Sequence, residues 1–360
     1  MPAPDGNFID PADKERAMQT TIQPKLSQQE GHAVWCSLSE DVNAQQLCAS
    51  AAIPTIIRLA ALCAMLGAAL ATAWLVAPSF WLLAGVYTAI ALLLAQCAFI
   101  GHNAGHGAVS RHDRLNRVLG QLSMTLLTGL AFDEWITRHR AHHRFCQDED
   151  QDPDLMVEFV VSLTDASRRR KTPFGRFLTR YQTTHIWLLS LLFGHSQRCL
   201  SQAAVLRNPR RYRLDSMILL LHGGLWFGIP CGMLGVSLPL ALLTYLIPLT
   251  LLGPYLAAIF WVNHMGMPLI KKVSDFSFLE HQTVTSRTIV NAPRWDWLFG
   301  GLNFQIEHHL FPKVPSHRLA AVQSIVRHHF EKQGIAYNGV SWRAAVCAIQ
   351  AHLRRIASAP

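Results

Sequence analysis

Charge is what this chain has least of. Asp, Glu, Lys and Arg make up 15% of its 360 residues, against roughly 25% in ordinary soluble domains. Residues 59–102 and 216–270 contain none of the four, and each run is about twice the roughly 20 residues that cross a bilayer. Soluble helices keep a polar face, so two such runs argue against a soluble fold. Paired cysteines are missing as well: Cys36, Cys48, Cys63, Cys97, Cys146, Cys199, Cys231 and Cys347 include no Cys-x-x-Cys. Scattered in this way, they read as free thiols in a reducing compartment, not as a disulfide framework or a zinc site. No secretory signal is expected, because residues 1–50 are polar and mixed in charge. The basic residues flank the apolar runs without a nucleic-acid motif, so nucleic acid is not the expected partner of the formal +9 charge.

Each uncharged run carries a turn signal near its middle, Ala77-Pro-Ser79 in the first and Gly235-Val-Ser-Leu-Pro239 in the second. The pattern predicts an all-α integral membrane fold, with four transmembrane helices in two hairpins near residues 56–76, 80–101, 215–234 and 238–262. Both hairpin tips lack Lys and Arg. The flanks hold Arg111, Arg114, Arg117, Arg138, Arg140, Arg144, Lys271, Lys272 and basic runs over 168–171 and 207–213. By the positive-inside rule the tips face away from the cytoplasm, and both termini face it. The positive charge then suits a cytoplasmic face lying against anionic headgroups. The expected location is a multi-pass protein of a bacterial inner membrane or an ER-type membrane.

Three parts are expected: a cytoplasmic N-terminal arm over 1–53, a membrane catalytic domain over 54–320, and a cytoplasmic helical tail over 321–360. The arm is too short for a separate electron-carrier domain and shows no haem or ferredoxin signature. Residues 115–132 are apolar enough to enter the membrane, and residues 186–193 are too short to cross it. The first reads as an interfacial or re-entrant helix and the second as an interfacial helix. A full crossing at 115–132 would separate the first two of the histidine clusters described next. Residues 316–357 alternate apolar and basic positions at helical spacing.

Histidine is what the chain has in place of charge. His102-Asn-Ala-Gly-His106, His139-Arg-Ala-His142-His143 and Gln305-Ile-Glu-His308-His309 each lie just outside an apolar stretch. Offsets of three and four bring side chains onto one helical face, where they can grip a metal ion. One tetrahedral zinc is satisfied by four ligands, so seven histidines point to two metals held in a cytoplasmic cap. Imidazoles without a thiolate leave zinc, iron, copper and nickel open on ligand chemistry. Asp148, Asp150, Asp152 and Asp154 follow the second cluster, and Glu307 lies within the third. Asp152 and Glu307 are candidates to accept the second ring N–H of a ligating histidine. A solvated acidic turn ending at Pro153 is the plainer reading of the Asp run. A membrane metal transporter is the reading of a different class; transporters bind near the bilayer midplane on broken helices, and these clusters sit at helix ends.

In this order around two hairpins, the clusters resemble the three histidine boxes of the membrane fatty acyl desaturases. Gly300-Gly-Leu-Asn-Phe-Gln-Ile-Glu-His-His-Leu-Phe-Pro312 is similar to the third box of their front-end branch. Gly101-His-Asn-Ala-Gly-His-Gly107 with Arg114-Leu-Asn-Arg117 is similar to the first box and the segment after it. The resemblance extends from about residue 85 to 320. It implies a di-iron site of two non-haem irons that activates O2 with two externally supplied electrons and removes hydrogen from an unactivated methylene of a fatty acyl chain. The implied ligands are His102, His106, His139, His142, His143, His308 and His309, with no catalytic residue beyond them. His264, in Trp261-Val-Asn-His-Met265, is the implied further ligand, and Asn263 is a candidate to hold a water. Gln305 stands where many relatives have His; a weak oxygen ligand, a water-mediated one and an orienting group are its three readings. No fused cytochrome b5 domain is read, unlike many front-end relatives, so a separate ferredoxin or cytochrome b5 is the expected donor. Acyl-lipid, acyl-CoA and acyl-ACP substrates all stay open. So do hydroxylation, acetylenic bond formation and oxidative decarboxylation to a terminal alkene, which the same scaffold supports in relatives.

Other residues carry weaker expectations. His222 lies inside the third expected span beside Gly223 and Gly224, which permit a simple interhelical hydrogen bond. His281 precedes Gln282-Thr-Val-Thr-Ser-Arg287, similar to a family segment near the substrate. His112, His185, His195 and His317 read as ordinary surface or supporting residues. Trp135, Trp261, Trp295 and Trp297 are candidates to line an acyl tunnel or to anchor the membrane interface.

Overall fold

A computed structural model describes residues 24–75, 79–156, 161–290 and 295–358. Its frame is four apolar helices long enough to cross a bilayer: Ala52–Trp74, Phe80–Gly105, Arg213–Gly232 and Leu238–His264. These helices mark a membrane protein. Residues 76–78 of the first expected hairpin tip lie outside the described residues. Ser79 accepts the N–H of Leu82 at 3.4 Å and so starts the second span. A proline in the first turn after Ser237 starts the fourth. Two spans run further than expected, to Gly105 and His264 in place of 101 and 262. The helical ladder continues past the apolar edge, so His102 and His264 ride on the spans themselves.

The segment after the second span reverses direction at its end. Helix Asp113–Gly120 passes into a wider turn of helix over Gln121–Leu126, and the chain reverses at Gly129, whose φ is 72°. The helix end leaves carbonyls that an apolar environment cannot satisfy. His222 Nδ1 donates to the Leu126 carbonyl at 2.7 Å and Trp226 Nε1 to that of Leu127 at 3.2 Å, both from the third span. His222 is therefore an interhelical clasp. His222→Ala is expected to destabilise the protein by about 1–3 kcal/mol, read as a lower Tm in detergent with metal content unchanged; an unaltered Tm would show the clasp to be idle.

Helix Phe132–Phe145 carries the second cluster, and its exposed N-terminal donors are met from far along the chain. Asp215, fully buried at the start of the third span, accepts the N–H groups of Asp133 at 3.2 Å and Glu134 at 3.1 Å and the Gln121 side chain at 2.7 Å. A carboxylate at a helix N-terminus also complements the helix dipole.

Both ends of the chain close over the third cluster. Helix Gln28–Ala44 opens with a reciprocal Ser27/Glu30 cap and packs Leu38 and Val42 against Phe304, Ile306, Val322 and Val326. The expected helical stretch over 316–357 is broken in two, Leu319–Gln333 and Trp342–Ser358, because Gly334 takes a left-handed φ of 65° and ends the first. Between them Gly339–Val340 pairs in parallel with Thr288–Ile289, a two-stranded exception to the all-helical reading. Helix Trp342–Ser358 then lays Ala345, Ile349 and Leu353 against Val262 of the fourth span.

Candidate metal centre

The four helix ends bring the histidines of all three clusters, with His264, into one contiguous set of rings. Two groups separate within it. In the first, His102, His106, His139 and His308 each offer a ring nitrogen, and in the second His142, His264 and His309 do so beside Cys146; within each group the donor atoms all lie within 4.8 Å of one another. The His143 ring lies between the groups, stacked on His309 with centroids 4.1 Å apart and 4.6 Å from that of His106.

The nitrogens fit metal ions better than they fit one another. His102 Nε2 and His139 Nε2 are 3.1 Å apart, and His139 Nε2 and His143 Nε2 are 3.2 Å apart, so three lone-pair positions converge where one hydrogen satisfies at most one pair. The Nε2 atoms of His106, His308 and His309 are buried with no hydrogen-bond partner. Orphaned buried acceptors are expensive, and a cation in each group satisfies them. Burial, reinforced by neighbouring imidazoles, holds His106, His139, His143, His308 and His309 well below the usual histidine range. They are neutral at pH 7, the form that ligates.

Several ligand candidates are held from behind. His142 Nδ1 donates to Asp152 Oδ1 at 2.9 Å, which leaves Nε2 for a metal. Asp152 is itself pinned by the N–H groups of Gln147 at 2.8 Å and Asp154 at 2.9 Å. Burial pulls His142 down, yet the Asp154 and Asp152 carboxylates outweigh it and hold the metal-free imidazole up at about 9. His264 Nδ1 donates to the Thr285 carbonyl at 3.0 Å, which leaves Nε2 as its acceptor nitrogen, turned toward the second group. Cys146 Sγ sits 3.4 Å from that same Nδ1, behind the ring, and burial keeps its thiol protonated. Trp135 stacks on His139 with centroids 4.5 Å apart and planes 16° apart, so it braces a ligand candidate.

Sequence reasoning missed Gln282. Its Oε1 accepts from His309 Nδ1 at 2.7 Å, and its Nε2 lies 3.0 Å from both the His143 carbonyl and His281 Nδ1. His281 in turn donates from Nε2 to the Cys146 carbonyl at 2.9 Å, which places it behind the ligands and not among them. The local signal was the pair His281-Gln282 itself, but its partners lie on other helices. Gln282→Leu is expected to weaken metal binding by about 10-fold or more. Gln282→Glu, which keeps the acceptor for His309, should recover part of that loss in a metal titration; equal losses in both would refute the assignment.

Three expectations need adjustment. Glu307 does not support a histidine: its carboxylate accepts from Thr288 at 2.8 Å and Tyr337 at 2.7 Å, because successive positions on helix Gln305–Leu310 point about 100° apart. Gln305 reaches the second group through nitrogen, with Nε2 2.8 Å from His264 Nε2 and Oε1 accepting from Asn263 at 2.9 Å. Asn263 keeps a buried, unpartnered Oδ1, an acceptor available to a water. Trp295 and Trp297 are exposed, and Trp261 packs on Trp187 and Phe193.

The same span of sequence that builds this site matches a known family. The model of the fatty acid desaturase family covers residues 79–341, every ligand candidate included. The chain belongs to the fatty acid desaturase family. It is 30% identical over 267 residues to Delta(8)-fatty-acid desaturase 1 of Arabidopsis thaliana, a match covering 70% of this chain and 59% of that protein. It is 29% identical over 268 residues to an acyl-lipid (9-3)-desaturase of Borago officinalis, covering 70% and 59%. A Delta 8-(E)-sphingolipid desaturase of Emericella nidulans is 28% identical over 284 residues, covering 72% and 51%. The chain thus spans about 59% of the length of the first two relatives. Helix Gln28–Ala44 lies before the family match, yet its Leu38 and Val42 share one buried core with Ile306 and Leu310 of the third histidine box.

Proposed function

We propose that the chain is an O2-dependent membrane oxidoreductase that desaturates a fatty acyl chain, with two non-haem irons and electrons supplied by a separate ferredoxin or cytochrome b5 type protein. The observation that carries this reading is the convergence of seven histidines into two groups, with His143 between them, beside the ends of two apolar helices, the Nε2 atoms of His106, His308 and His309 being buried and unsatisfied. His102, His106, His139 and His308 would hold one iron and His142, His264 and His309 the other, with His143 between them. Gln305 and Asn263 flank the second group, where the unpartnered Asn263 Oδ1 would hold a water beside the metal and Gln305 would orient His264. Iron bound there supplies the O2 activation and the removal of hydrogen from a methylene.

The protein's own part is orientation. Asp152, Gln282 and the Thr285 carbonyl fix which ring nitrogen faces inward, and the near-complete burial of His102, His142, His308 and His309 keeps bulk water away. An acyl chain reaching this centre from the bilayer is oxidised at whichever methylene is held close to it, so placement decides the product. The basic residues flanking the spans support a cytoplasmic site.

The test is mass spectrometry of lipids, free acids and volatile hydrocarbons from cells with and without the protein, paired with metal analysis of the purified chain. An O2- and reductant-dependent new double bond with about two irons per chain supports the reading. A zinc-loaded, iron-free protein with full turnover sinks it.

A further inference from the structure

One cavity lies outside the two histidine groups and shares a wall with the first. It encloses about 610 Å3, and His106 lines it together with Arg111, Arg140 and Lys313. The three cations come from three separate places: just after the first cluster, inside the second and just after the third. One carboxylate, Asp113, shares the lining, and among the described residues none of the three cations forms an ion pair with it or with any other. Converging like charges repel and raise the local potential, which an incoming anion relieves.

The pocket is a built one. Its walls are tied by the Ala51 N–H to the Val109 carbonyl at 2.9 Å, and by Arg318, which donates to the Leu47 carbonyl at 3.2 Å and that of Ala49 at 2.5 Å. Arg140 is aimed by its bond to the Gly105 carbonyl at 3.0 Å. No large apolar side chain lines the space, so it suits a polar group and not an acyl tail.

We propose that this pocket binds an oxyanion, the phosphate or carboxylate at the polar end of the acyl substrate, and so moors that end beside the first histidine group. The assignment of the occupant to a substrate rests on the acyl-oxidation reading above; free phosphate is the other source of the same chemistry. Arg111 and Lys313 supply the charge, while Arg140, fixed to the backbone, supplies direction. Such contacts between guanidinium or ammonium groups and an oxyanion are short, strong and sensitive to salt.

The test is a binding titration on the purified full-length chain in non-ionic detergent, which does not depend on turnover. The probes are oleoyl lysophosphatidate, monooleoylglycerol with the same chain and no phosphate, and inorganic phosphate. Lysophosphatidate is expected to bind at least about tenfold more tightly than monooleoylglycerol, the scale of one charge-assisted contact. The preference should disappear in Arg111→Gln/Lys313→Gln and persist in Arg210→Gln, which lies outside the pocket, with iron content and Tm unchanged in both. Inorganic phosphate binding as tightly as lysophosphatidate would identify free phosphate as the occupant; much weaker binding identifies the lipid head. No preference in the wild type, or an undiminished one in the double variant, overturns the proposal. So does loss of donor-driven turnover in the double variant with lipid affinity intact, which would assign the cations to the donor protein. Failure of the acyl-oxidation reading shows instead as an unchanged lipid profile in cells, whatever the binding result.

Discussion

His308→Ala is expected to abolish lipid oxidation, a loss of at least about a thousandfold, while the protein remains folded and in the membrane. The reason is its position. His308 offers one of the ring nitrogens of the first group, with His102, His106 and His139, and its Nε2 is buried without any other partner. Truncation removes a ligand and leaves a cavity that water can enter. His142→Ala should have the same effect through the second group, since on the proposed reading each group would hold its own metal. The control is His112→Ala, at the start of helix Asp113–Gly120 and in neither group. Activity and iron content measured together on the three variants check the assignment: retained oxidation in either box variant contradicts it.

Asp152→Asn is expected to be the most damaging change at a residue that ligates nothing, lowering metal affinity by about 10- to 100-fold. Asp152 is completely buried and accepts three hydrogen bonds, from His142 and from the backbone of Gln147 and Asp154. An amide keeps the shape but loses the charge, and its nitrogen faces donors where an acceptor is required. The variant also changes the response to pH. In the metal-free protein His142 is held up at about 9 from an ordinary value of 6.5. The stability this interaction adds to the metal-free fold is therefore complete below about 6.5 and lost as pH rises through about 9. Metal binding must expel the same proton, so affinity rises with pH across that window. With one carboxylate neutralised, the rise should move to lower pH. Cobalt(II) titrations across pH 6 to 10, followed by absorption, read both quantities; an unmoved profile would mean that Asp152 does not control the His142 proton.

Much of this site is legible along the chain, because helical periodicity and apolar length are local properties. The absence of charge over residues 59–102 and 216–270 specifies four spans, and offsets of three and four place His102 with His106 and His139 with His142 and His143 on shared faces. Those same residues, in that order, carry the family. Where the helices stop was less legible: the spans run on to Gly105 and His264 because helical hydrogen bonding does not end where hydropathy does.

What only the tertiary structure decided is how the rings are shared out and what holds them. Neighbours in one cluster part company, His139 going to the first group and His142 to the second, and His308 and His309 dividing likewise. Helix geometry fixes the angle between adjacent side chains, but which partner waits at that angle depends on other helices. Gln282 finds His309 across 27 residues, and Asp215 caps the second-cluster helix across 82. Glu307, beside His308 in the sequence, turns instead to Thr288 and Tyr337. The sequence by itself determined the membrane frame, the family and the pool of candidate metal ligands, since each is written in local spacing. The division of that pool into two sites, and the hydrogen bonds that aim it, follow from packing between segments far apart in the chain, where no local pattern reaches.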